Sequence, residues 1–139
     1  MKKIFLLFFL TLFLVSSCTP DDSSSNFSTE IVPIVNVSIP EEFVFGEVYE
    51  IGVTYYRPTS CHVFNNFFYD INQNERTVAV ITTVYNDSSC ETFGAQENEV
   101  EVSFNFQVNS TETYTFKFYQ GDDANGNDIY YIVEVPVVE

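Results

Sequence analysis

The sequence predicts a single all-β domain folded as a two-sheet sandwich of about seven strands. Three observations carry this. From residue 30 onward, apolar residues recur with a period of two and almost no helical period. The alternating runs are rich in aromatic and β-branched residues, which suit a pleated, half-buried surface. Clusters of Pro, Gly, Asn and Asp then cut about 110 residues into strand-sized pieces. A small β-barrel is the competing architecture.

The chain opens on a different kind of segment. Lys2 and Lys3 precede a short apolar run at 4–15 (IFLLFFLTLFLV), followed by Ser16, Ser17 and Cys18. A positive start, an apolar core and small residues form the layout of a secretory signal, and the run is too short to span a bilayer as a helix. The stretch Val15-Ser16-Ser17-Cys18 resembles the lipobox of bacterial lipoproteins. The resemblance implies a signal peptide over 1–17, removed before Cys18, and acylation of Cys18. Several acyl chains would then hold the mature protein on a membrane without crossing it.

Residues 18–29 are polar and have little to bury, so they are expected to form a disordered tether to a domain spanning 30–139. Asp21-Asp22, just after the cysteine, resembles the export signal of flavobacterial lipoproteins. That implies the outer membrane and its cell-surface face, with the periplasmic face as the alternative. Loss of 1–17 leaves 122 residues in which Arg57, Arg76 and Lys117 stand against all 20 Asp and Glu, a formal charge of −17. So acidic a surface repels phosphate backbones and argues against nucleic acid as a partner.

The strands follow in order. Residues 34–39 alternate Val35, Val37 and Ile39 against Ile34, Asn36 and Ser38, and the flanking Pro33 and Pro40 suit an edge. Residues 48–57 place Tyr49, Ile51, Val53 and Tyr55 on one face. Runs at 62–71 and 76–85 flank Asn72-Gln73-Asn74-Glu75, a polar loop of hairpin length. If Ile71 faces Arg76, Cys61 falls opposite Asn86. With Cys18 acylated, Cys61 and Cys90 are the remaining cysteines, and an oxidising exterior favours a structural disulfide that staples the open end of this hairpin. Residues 99–108 point Val100, Val102, Phe104, Phe106 and Val108 inward, and 113–119 do the same with Tyr114, Phe116 and Phe118. The turn signal Asn125-Gly126 leads into 129–137, where Glu134 and Pro136 suggest a second edge.

The pattern Val37-x-Ile39-Pro40-x-x-Phe43-x-x-Gly46-x-x-Tyr49-x-Ile51-x-Val53 resembles the opening strands of bacterial immunoglobulin-like domains. Extended through Tyr55, Pro58 and Cys61, it is also similar to small flavobacterial lipoproteins. The resemblance implies an immunoglobulin-like antiparallel sandwich and a role in adhesion or display.

Chemistry is sparse. His62 is the one histidine, and the chain has no Gly-x-Ser-x-Gly elbow, no His-Glu-x-x-His and no glycine-rich phosphate loop. No catalytic residue is therefore assigned. The loop 121–128 (GDDANGND) is rich in oxygen donors, and Asp122, Asp123 and Asp128 form a candidate weak calcium site. It is not an EF-hand: with Gly126 at the loop glycine, Gly121 replaces the first aspartate and Ile132 the bidentate glutamate. A hairpin loop is the plainer reading, and no other cofactor is expected.

Paired aromatics give the second signal. Neighbours on a strand point to opposite faces, so Tyr55-Tyr56, Phe67-Phe68-Tyr69 and Tyr130-Tyr131 must each send a ring away from the main core. Tyr56, Phe68, Tyr119 and Tyr130 are the expected outward members and the candidate ligand-binding aromatics, suited to stacking on sugars or anchoring a protein. The functional expectation is a non-catalytic binding or structural module at the cell envelope, with a protein or glycan ligand. The alternative is a small hydrolase or an accessory subunit of a surface glycan-uptake system.

Overall fold

Strands replace the alternating runs wherever one face finds a partner layer. The structure, a computed structural model, describes residues 26–139, so the signal 1–17, Cys18 and Asp21-Asp22 lie outside the described residues. Among the described residues ten strands form: β1 (Phe27–Val32), β2 (Ile34–Ser38), β3 (Phe43–Val44), β4 (Val48–Tyr56), β5 (His62–Asn72), β6 (Glu75–Tyr85), β7 (Glu99–Gln107), β8 (Tyr114–Asp122), β9 (Asp128–Val135) and β10 (Val137–Val138). The architecture is an all-β sandwich, and the described strands close no barrel.

One layer is built on β6. The hairpin partner β5 covers one of its edges. On the other edge β1 pairs antiparallel with residues 80–85, and β8 pairs parallel with residues 75–78. β9 continues the layer as the antiparallel partner of β8. The second layer runs β2-β4-β7, antiparallel throughout, and a short parallel pair of β3 with β10 sits beside them. Both predicted edge strands, β2 and β9, lie at sheet edges.

The core forms where the inward rows of β4, β7 and β8 meet. Ile51, Val53, Tyr55, Phe106, Tyr114, Phe116 and Phe118 are buried on the predicted faces. Phe43 sits at their centre, fully buried, with its ring 4.9 Å from Tyr49, 5.3 Å from Phe106 and 6.1 Å from both Tyr114 and Phe116. A side chain of this size contributes about 1.5–3 kcal/mol by leaving water. At the far side the layers meet as Phe67 and Tyr69 of β5 pack on Phe104 of β7, 5.2 and 5.6 Å away.

Several details depart from the sequence reading. Three strands were not expected, and β1 begins at Phe27, inside the stretch assigned to the tether, because its backbone completes the ladder on β6. The parallel contacts β6–β8 and β3–β10 depart from a purely antiparallel sandwich. In β2, a register shift between Ile34 and Asn36 buries Ile34 and exposes Val35, the reverse of the predicted faces at those two positions. The 72–75 loop is tighter than expected: Asn72 pairs with Glu75, and Gln73 takes φ 54° to make the two-residue turn. Ile71 faces Arg76 as predicted, but a bulge at Asn65 shifts the ladder by one, and Cys61 O accepts from Tyr85 N–H at 3.2 Å. The same bulge lets Phe64 and Phe67 both reach the core.

Cys61 and Cys90 form the expected disulfide, with Cα atoms 5.5 Å apart. Around it, Ser60 N–H donates to Glu91 O at 2.9 Å and Phe93 N–H to Pro58 O at 3.0 Å.

Candidate functional site: a tyrosine and aspartate groove

The solvent face of the β6 layer carries the side chains that alternate with the core row. Thr77 and Ala79 of β6, Ile31 of β1 and Phe68 of β5 lie on it, and Ala79 is small enough to leave a depression between larger neighbours. Lys117 and Tyr119 of β8 and Tyr130 and Ile132 of β9 occupy the same face, because Tyr119 pairs with Tyr130 and Lys117 with Ile132.

A third register shift completes the site. Between Tyr119 and Gly121 the register shifts, leaving Gln120 as the extra residue, so that Asp122, opposite Asp128, returns to the face that holds Tyr119. Gly121 has φ 108°, a conformation that favours glycine. The result is a groove of about 270 Å³ lined by Phe68, Tyr119, Tyr130, Asp122 and Asp128, with Ile31, Thr77 and Ala79 below. Three of the four aromatics singled out in the sequence, and two of the three aspartates, therefore meet in one place.

The two tyrosine–aspartate pairs mirror each other. Tyr119 OH donates to Asp122 Oδ1 at 2.8 Å, and Tyr130 OH donates to Asp128 Oδ2 at 2.7 Å. The rings meet edge to face, 6.1 Å apart and 68° inclined. The hydrogen bond to Asp122, helped by burial and by the neighbouring carboxylates, pushes the Tyr119 phenol up to about 12. The bond to Asp128 raises Tyr130 in the same way. Both phenols thus stay protonated and hold their carboxylates in fixed directions. Lys117 Nζ lies 4.8 Å over the Tyr130 ring and 3.4 Å from Glu75 Oε1.

Of the three candidate calcium ligands, Asp122 and Asp128 accept the two phenols and Asp123 is engaged by its own loop. Asp123 turns into its own loop: its Oδ1 accepts from Asn125 N–H at 2.7 Å and Asn127 N–H at 2.9 Å, and its Oδ2 from the Asn127 side-chain amide at 3.0 Å. Those bonds, the Asn127 side chain first, lower its pKa. Among the described residues, no group of three His, Cys, Asp or Glu is placed to hold a metal ion. Asp123 serves as the internal brace of the Asn125-Gly126 turn, in which Gly126 has φ 80°.

Tyr56 lies apart, at the end of β4 in the other layer. It lines a separate depression with Pro33, Arg57, Pro58 and Phe93. His62 is buried, and its ring joins Thr59 Oγ1 at 2.8 Å to Glu30 Oε2 at 3.0 Å. The order hydroxyl, imidazole, carboxylate matches a nucleophile–base–acid relay, but Thr59 Oγ1 also accepts Cys61 N–H at 3.2 Å. The chain of bonds ties β1 to the disulfide corner, outside the groove.

Sequence reasoning missed Arg76, which is buried 5 % exposed at the start of β6. Its parity with Val78, Val80 and Thr82 was the signal, since it places a guanidinium on the inward row. No protein-family model, curated protein or solved structure matches this chain.

Proposed function

We propose that the protein is a non-catalytic binding module of the cell envelope, lipid-anchored through Cys18, that takes a neutral glycan in the Tyr119–Tyr130 groove. The observation that carries the reading is the convergence of Phe68, Tyr119 and Tyr130 with Asp122 and Asp128 around the small Ala79 floor. Aromatic rings offer apolar faces to the C–H side of a sugar, and each carboxylate keeps acceptor capacity for sugar hydroxyls after taking one phenol proton. A strongly acidic chain and two groove carboxylates favour a neutral polyhydroxyl ligand over an anion. The anchor rests on the charged start, apolar core and Val15-Ser16-Ser17-Cys18 of the sequence.

The experiment is a glycan-array screen with the full chain in detergent micelles, followed by titration of each hit. Ala79→Leu fills the floor, and Asp122→Asn with Asp128→Asn removes the charged acceptors. Each change is expected to weaken neutral-glycan binding by about ten-fold or more, the equivalent of one charge-assisted hydrogen bond, with the far-UV circular dichroism of the folded protein kept. Unchanged affinity in both variants would overturn the assignment. For the address, protease applied to intact cells should remove the wild-type protein from the surface, and Cys18→Ser should release it from the membrane. Protection until the outer membrane is opened would place it on the periplasmic face.

A further inference from the structure

Arg76 presents a second and unrelated chemistry. Of the three cations in the described chain, Lys117 pairs with Glu75, and Arg57 donates to the Asn98 side chain at 3.4 Å. Arg76 is the buried one, and among the described residues no carboxylate pairs with it. Its Nη1 donates to Gln73 O at 2.6 Å and Glu75 O at 2.8 Å, and its guanidinium carbon lies 5.1 Å from the Tyr114 ring and 5.9 Å from the Phe106 ring. Carbonyls and ring faces compensate part of the charge, but a buried cation is ordinarily matched by an anion.

The place where the anion would stand is open. Arg76 lines a cleft of about 470 Å³ on the side of the sandwich where β5 and β7, each paired on one edge only, touch through side chains but share no backbone ladder. In a chain with 20 Asp and Glu, none of the ten lining residues is acidic. The polar ones besides Arg76 and Tyr69 are amides, including Asn66, Asn105 and Gln107, and the walls are aromatic, including Phe104. Against so acidic a background, the cleft offers one guanidinium, neutral donors and acceptors, and ring faces.

We propose that this cleft binds a carboxylate-bearing sugar residue, a uronic acid, with its carboxylate on Arg76, its hydroxyls on the amide rim and a sugar face against Tyr69 and Phe104. Guanidinium and carboxylate are planar and complementary in their hydrogen-bonding edges. Amides both donate and accept, as hydroxyls require. The site is separate from the neutral-glycan groove, which lies on the solvent face of the β6 layer, so either assignment stands or falls without the other.

The test is an NMR titration of the full chain in micelles with glucuronate, glucose and acetate, followed at the side-chain amides of Asn105 and Gln107. Saturable shifts with glucuronate, at least about ten-fold weaker with glucose and with acetate, are expected from one charge-assisted contact added to the sugar contacts. Arg76→Lys should weaken glucuronate binding. Because that variant also alters the 73–76 turn, Asn105→Asp with Gln107→Glu provides the second arm. It leaves Arg76 in place, adds charge at exposed positions, and should abolish glucuronate binding with the melting temperature unchanged. Absence of saturable shifts, equal response to glucose or acetate, or full affinity in the Asp/Glu double variant would overturn the proposal. Displacement of glucuronate by a peptide C-terminus of higher affinity would reassign the cleft to a protein ligand and overturn it as well.

Discussion

Replacing both Cys61 and Cys90 by alanine tests the disulfide as an entropic device. The bridge joins residues separated by 29 positions, so it closes a loop of about 30 residues in the unfolded chain. On the chain-entropy account, such a loop loses roughly 12 cal/mol/K, which is about 3.6 kcal/mol at 25 °C. The native side of the balance should change little. Ser60 and Glu91 remain joined by two hydrogen bonds of 2.9 Å, Thr59 bridges Thr92, and the β5–β6 ladder does not depend on the sulfurs. For a fold of this size the unfolding entropy is roughly 0.24 kcal/mol/K, so the melting temperature should fall by about 15 °C. The chain has no tryptophan, so urea unfolding is followed by tyrosine fluorescence and far-UV circular dichroism. Wild-type protein in reductant should reproduce the variant. A loss below about 1 kcal/mol with an unchanged denaturant slope would refute the reasoning, because it would mean that the unfolded chain already holds these ends together.

Three further outcomes follow from the same geometry. Phe43→Ala should cost about 3–5 kcal/mol in urea unfolding, because four aromatic neighbours frame the cavity it leaves. Gln73→Gly should stabilise the protein by about 1 kcal/mol in the same assay, since the residue has φ 54° and the carbonyl that Arg76 uses is kept. Alkaline titration should show a last tyrosinate near pH 12 that disappears in Tyr119→Phe. Because the folded-state pKa is raised, the linked stability is present below about pH 10 and is lost as pH climbs to about 12, so a titration from which Tyr119→Phe removes no late-ionising tyrosine would contradict the Tyr119–Asp122 bond.

What could be read in the sequence was what depends on parity. In β7 and β8 each apolar residue followed the rule that neighbours face opposite ways, and the inward rows matched. The same rule sent Phe68, Tyr119 and Tyr130 outward. Bulges broke it. Asn65 moved the hairpin register by one, the shift after Ile34 exchanged two side chains of β2, and Gln120 brought Asp122 beside Tyr119. A single extra residue leaves no periodic trace, so the pairing of Asp122 and Asp128 with the two tyrosines had no signal in the sequence. The short strands β3 and β10 and the parallel contact of β8 with β6 are long-range pairings with no local signal. Tyr56 was correctly outward but on the other layer, and parity alone does not say which layers share a surface.

The chain changes layers at Pro33: β1 belongs to the β6 sheet and β2, one residue later, to the other. Mechanically this makes β1 a clamp. A load applied at Asn26 and resisted by a ligand held in the groove passes along the strand axis, from Phe27 opposite Tyr85 to Val32 opposite Val80. Six residue pairs then bear it in shear together, instead of parting one after another, and Ile31 of the same strand lies under the groove itself. On the proposed anchor at Cys18 and the proposed groove ligand, tension between the two would stay within the β6 layer, from β1 through β6 to the strands that carry Phe68, Tyr119 and Tyr130, and need not cross the aromatic core.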